Sequence, residues 1–142
     1  MIDLVTDEFL EHIDNALSER RECIVATASR DGQPDLGPKG SVMVFDPEHL
    51  AFWERMLRAT FNNLAENPRV VIYYADPPSR TYWRFYGTAT LHKEGPIREE
   101  IMARTVQAEL DRDPERQGYG VLVRVDRVAT LGGNVLQERE GA

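Results

Sequence analysis

Apolar positions at spacings of three and four put Phe9, Leu10, Ile13, Ala16 and Leu17 on one face and predict an amphipathic helix over residues 7–20. The spacing then changes. Cys23–Ala28 is a short β-type run closed by Ser29-Arg-Asp-Gly32, and Asp-Gly between two apolar stretches signals a hairpin. The returning strand starts after Pro34 and carries Gly37-Pro38-Lys39-Gly40. Inside a strand such residues mark a bulge, an edge or a place where something approaches the backbone closely. Ser41–Phe45 and Leu50–Trp53 predict two more strands around an Asp46-Pro47-Glu48-His49 turn. Thr60–Glu66 predicts a short helix with Thr60 as its N-cap, stopped by Asn67-Pro68.

Val70–Ala75 is the strongest strand signal in the chain, and Tyr82–His92 is a long strand with Gly87 as a kink or bulge. Pro96 opens a helix running to about Asp111, and Tyr119–Thr130 is the last strand. With roughly six strands, three helices and hairpin connections in the first half, the pattern is that of a mainly β, antiparallel barrel with peripheral helices. No linker or internal repeat divides residues 1–142, so a single domain is expected.

The 142 residues include 42% hydrophobic and 29% charged positions, an ordinary balance for a chain that buries a core. The single cysteine, Cys23, excludes an intrachain disulfide or a cysteine-cluster zinc site and suggests a cytoplasmic setting. No apolar run reaches the ~18–20 residues of a membrane helix, so no membrane role is expected. A net charge of −7 disfavours nucleic acid as a partner. The charge is uneven. Residues 1–22 carry 2 basic and 7 acidic side chains, residues 23–92 carry 7 of each, and residues 93–142 carry 8 and 10. An anion site is therefore best sought in the middle segment.

Motifs for common chemistries fail on inspection. Gly32–Lys39 approximates a phosphate-binding P-loop, but Pro38 precedes the lysine, Gly40 stands where Ser or Thr is needed, and a strand follows in place of a helix. Gly118-Tyr-Gly120 lacks the third glycine of a dinucleotide fingerprint. His12, His49 and His92 lie in separate elements, so no metal site is expected. No Gly-x-Ser-x-Gly elbow occurs, and Cys23, at the head of an apolar strand, reads as a small core residue.

Three segments remain: Ala26–Gly40 with its Ala-Thr-x-x-x-Asp-Gly-x-Pro hairpin, Arg58–Val70 with Asn-Leu-x-x-Asn-Pro-Arg-Val, and Trp83–Leu91. In order and spacing, over about residues 20–130, they resemble the pyridoxamine 5′-phosphate oxidase-like family of FMN-binding split barrels. The resemblance implies a six-stranded antiparallel split β-barrel and a homodimer with two FMN sites at the subunit interface. It places the flavin ring along Pro38, Lys39, Gly40, Ser41, Val42 and Met43. It places further contacts at Trp53 and Glu54, the phosphate near Arg58 and Thr60, and a contact from the partner side at Tyr82. Glycine in that strand suits the close approach of a planar ring.

The resemblance also has gaps. Where the vitamin-oxidising members carry Arg-Lys before the short helix, this chain has Ala59-Thr60, with Arg58 one residue earlier. Its tail, Leu131–Ala142, lacks their Trp and Arg-x-His groups. Oxidation of pyridoxine phosphate is therefore not expected, and the implied activity is that of an FMN-dependent oxidoreductase on another small-molecule substrate. The alternative is a non-catalytic barrel that holds flavin, haem or deazaflavin, or a cofactor-free dimer. Without the resemblance, Trp53 reads as barrel core, and Lys39 and Arg58 read as solvated cations.

Overall fold

The computed structural model describes residues 1–141. Its strands are β1 (Cys23–Ala28), β2 (Pro34–Lys39), β3 (Met43–Asp46), β4 (His49–Glu54), β5 (Arg69–Asp76), β6 (Thr81–His92), β7 (Tyr119–Thr130) and β8 (Val135–Glu138). Its helices are α1 (Asp7–Ile13), α2 (Ala59–Glu66), α3 (Pro96–Arg104) and α4 (Gln107–Leu110). All pairings are antiparallel, in the order β2-β1-β5-β6-β7-β4-β3, with β8 added to β7. This is the split barrel. Strands β2 and β3 are consecutive in the chain yet lie at opposite ends of the order, so the barrel stays open between them.

The hairpin turns at Gly32, whose φ of +91° suits a residue without a Cβ. On β5, Val70, Ile72 and Tyr74 point inward, and on β6, Trp83 and Phe85 do so. With Val25, Leu50, Phe52 and the valines of β7 they form the barrel core. Strand β4 is buried on both faces. Leu50 and Phe52 enter the barrel, while Ala51 and Trp53 pack outside it with Met43, Ile101 and Leu110 beneath α3 and α4. Burial on both faces explains the unbroken apolar run that marked this strand. At Gly87 the β6–β7 register shifts, and a Cβ there would lie 2.4 Å from the Arg124 carbonyl oxygen.

Several expectations need correction. Among the described residues there are eight strands and four α-helices, since β8 and the break between α3 and α4 had no clear periodic signal. The first helix ends at Ile13, not residue 20. Beyond it Asn15 donates to the Glu11 carbonyl and Ser18 to the Asn15 carbonyl, drawing the backbone into turns. The long helix after Pro96 stops at Arg104, where Thr105 turns extended (ψ 139°) with its hydroxyl on the Ile101 carbonyl. Ser41 and Val42 belong to the β2–β3 connection, and β3 starts at Met43. Thr60 is not the N-cap of α2: the helix starts at Ala59, and Arg58 holds that position.

Candidate cleft between β2 and the start of α2

The opening of the barrel forms a cleft of about 420 Å³, within the ~300–1,000 Å³ usual for small-molecule sites. Gly37–Gly40 form one wall, Trp53 and Glu54 the floor, and Arg58, Ala59 and Thr60 the far end. The β2 wall is an edge strand, paired only with β1, so its outer backbone groups are open to a ligand. At the far end, no side chain caps α2. Its first-turn amides therefore have no side-chain acceptor, the residues at that end line the cleft, and Arg58 makes no ion pair among the described residues.

The floor is held in place by buried polar contacts. The Ser41 hydroxyl receives the Trp53 backbone N–H at 3.0 Å and lies 3.2 Å from the Trp53 carbonyl, tying the β2–β3 turn to β4. The Trp53 indole donates to Asp113 Oδ2 at 2.9 Å. Burial works against the Asp113 charge. The amides of Gln117 and Gly118, the indole and Arg116 outweigh it and hold the carboxyl below the usual carboxylate range. Gly118 has to be glycine, because a Cβ would lie 2.7 Å from the Glu54 carbonyl and 2.8 Å from the indole. Glu54 is buried and paired with Lys39, and its Oε1 accepts no well-aligned hydrogen bond.

A sequence model of the pyridoxamine 5′-phosphate oxidase family matches residues 9–130. The chain belongs to the pyridoxamine 5′-phosphate oxidase family. HupZ of Group A Streptococcus is 26% identical, with a TM-score of 0.74 over 94% of this chain and 99% of that one. A putative pyridoxamine 5′-phosphate oxidase of Lactobacillus delbrueckii is 27% identical, with a TM-score of 0.68 over 90% and 98%. A protein of Methanocaldococcus jannaschii is 26% identical over 89% of this chain and 80% of its own. At 14% identity and a TM-score of 0.65, an FMN-binding protein of Syntrophomonas wolfei, matched over 87% and 86%, shares the fold.

Of the positions that the family resemblance singled out, the structure brings Pro38, Lys39, Gly40, Trp53, Glu54, Arg58 and Thr60 together around the cleft. Ser41 lies buried beneath it. The side chains of Val42 and Met43 are buried in the two apolar clusters. Tyr82 stands apart, in a separate concavity beside Phe9, Arg80 and Trp83. The cleft also includes residues that the sequence did not flag: Leu17, Glu22, Arg55, Met56, Glu109 and Arg112. Glu109 and Leu17 come within 3.0 Å of where a Gly40 Cβ would sit, so Gly40 is the point where α4 and the α1–β1 turn crowd β2. Only a register linking residues 17, 40 and 109 could have revealed this.

Proposed function

We propose that this cleft binds FMN and that the protein acts, as a homodimer, as a flavin-dependent oxidoreductase on a small molecule. The observation that carries the reading is the uncapped start of α2 beside Arg58, opening onto the free edge of β2, in a chain of this family. The residues suit the cofactor's parts. The α2 amides and Arg58 would hold the phosphate, the β2 backbone from Gly37 to Gly40 would lie against the ring, and the Lys39–Glu54 pair would offer polar partners to its edge. FMN would supply the two-electron chemistry, which fits a site without a catalytic triad.

The dimer reading rests on the outer face of β1, β5 and β6. Ile24, Tyr73 and Arg84 lie in one cross-strand row, and Ala26, Val71 and Tyr86 in the next. All six are only half-buried, although this face is largely apolar. Such a face is suited to a second copy. Tyr82 lies on the same side of β6, one pair from Arg84, so a partner-side role for it is part of the proposal. Ala59-Thr60, standing where the vitamin-oxidising members carry Arg-Lys, supports a substrate other than pyridoxine phosphate.

The test compares FMN with riboflavin by thermal shift. Ligand at a hundred times its dissociation constant should stabilise the fold by ~2.7 kcal/mol. FMN should bind more tightly than riboflavin. Arg58→Ala should remove about ten- to a hundredfold of that preference, corresponding to a charge-assisted bond of about 1.5–3 kcal/mol. Equal shifts for FMN and riboflavin in the unaltered protein would rule out the phosphate site.

A further inference from the structure

The cleft between β2 and α2 is charged unevenly. Lys39 and Glu54 pair with each other at its floor. Arg55 and Arg58, which make no ion pair among the described residues, line it from the β4–α2 connection. Two carboxylates line it from elsewhere: Glu22 from the α1–β1 connection and Glu109 from α4. Glu22 precedes Cys23, which pairs with Lys39, so strand register brings it to the Gly40 end of β2. Glu109 meets the chain at that same glycine.

The two acids are not equivalent. Glu22 is exposed, whereas the Glu109 side chain is only 15% exposed. Gly40 makes room for it. A Cβ there would lie 3.0 Å from Glu109 Oε1 and 3.0 Å from a Leu17 methyl carbon, so the carboxylate occupies the space that a side chain would fill, against bare backbone. Among the described residues no group donates a hydrogen bond to it. The cation within ion-pair distance, Arg112, stands 3.9 Å from Oε2 and is 63% exposed, so water screens the pair. Glu109 has thus given up much of its hydration without a protein donor in return.

We propose that Glu109 sets ligand specificity at the Gly40 end of the cleft, an inference that rests on FMN being the occupant: its carboxylate accepts the ring N–H of the flavin. Oxidised FMN has one ring N–H, the imide at N3, remote from its phosphate. The dimethylbenzene edge of the ring has no donor, so Glu109 selects which way round the ring lies along β2. A molecule presenting an anion or an aprotic edge at Gly40 is disfavoured, because it leaves the carboxylate unsatisfied or repels it. Arg58 and Glu109 then divide the work, one holding the anion and the other reading the donor.

The test uses the full-length protein and FMN isotopically labelled at N3, with affinity read from flavin fluorescence and the N3–H proton by NMR. In the unaltered protein that proton should move downfield on binding and exchange with water more slowly than in free FMN. Glu109→Gln keeps an acceptor of the same shape and should retain the slowed exchange. Glu109→Met, of similar size without an acceptor, should lose it and bind FMN about ten- to a hundredfold more weakly. Exchange in the unaltered protein as fast as in free FMN overturns the inference. So does Glu109→Met binding FMN as tightly as the unaltered protein or more tightly, since the carboxylate would then be a bystander or a source of repulsion. In both of these cases FMN binding that is weakened by Arg58→Ala leaves the cleft as the flavin site, whereas no FMN binding by any of the proteins overturns both.

Discussion

Lys39 Nζ lies 2.7 Å from Glu54 Oε1 and 2.9 Å from Oε2, joining the end of β2 to the end of β4 across the split in the barrel. Glu54 is 1% exposed and Lys39 13%. The lysine next to the glycines of the cleft is thus neutralised within the chain, whereas Arg55 and Arg58, which also line the cleft, make no ion pair among the described residues. Removing one partner should expose the coupling. Lys39→Met leaves a buried carboxylate unpaired and should cost about 3–5 kcal/mol, most of which Lys39→Met with Glu54→Leu should recover. Denaturant titration gives both values, and equal losses in the two variants would show that the pair is not coupled.

Asp113 should make the fold acid-sensitive. Its folded pKa is depressed, so its contribution is present above the unfolded value of ~3.9 and is lost as pH falls through the lower folded value. Asp113→Asn should be less stable than the unaltered protein at neutral pH and lose less on going from pH ~5 to pH ~3. Parallel stability profiles would contradict this account.

At alkaline pH the sign reverses. Burial pushes the Cys23 thiol and, with help from Asp76, the Tyr74 hydroxyl up to about 12. Folded values above unfolded ones give stability that is whole below ~8.5 for the thiol and ~10 for the phenol and is lost as pH climbs toward 12. Cys23, fully buried in the core, should resist thiol reagents at pH ~8 in the native protein and react once denaturant is added. Rapid native labelling would contradict this burial.

The outer face should hold a second subunit. A charge placed there, as in Val71→Glu, should convert the dimer to monomer. Sedimentation of the unaltered protein as a 16.2 kDa species would refute the dimer.

Pyridoxine and pyridoxamine phosphate should be poor substrates even with FMN added. Turnover near ~1 s⁻¹, at the lower end of ordinary enzymes, would overturn this expectation.

Most of the sheet was legible in the chain. Alternation in β5 and β6, the Asp31-Gly32 hairpin and the Asn67-Pro68 stop are local signals, and each reports which face of one element is buried. The glycine-rich β2 and the Arg58–Thr60 segment were legible for a related reason: their residue types are unusual at those positions whatever lies around them. What local signals could not reach is pairing between distant residues. That Glu54 captures Lys39, that Glu109 and Leu17 crowd Gly40, and that Tyr82 stands away from the cleft all depend on strand register and on how the sheet curls. Periodicity carries no information about either. Thr60 is a case in point. By type it is a good N-cap, yet the chain enters α2 one residue earlier, leaving the helix start uncapped where it lines the cleft. The sequence by itself determined most of the strands and the turns between them. The closing of the sheet decided that Lys39 is taken up by Glu54, because only it brings the ends of β2 and β4 together.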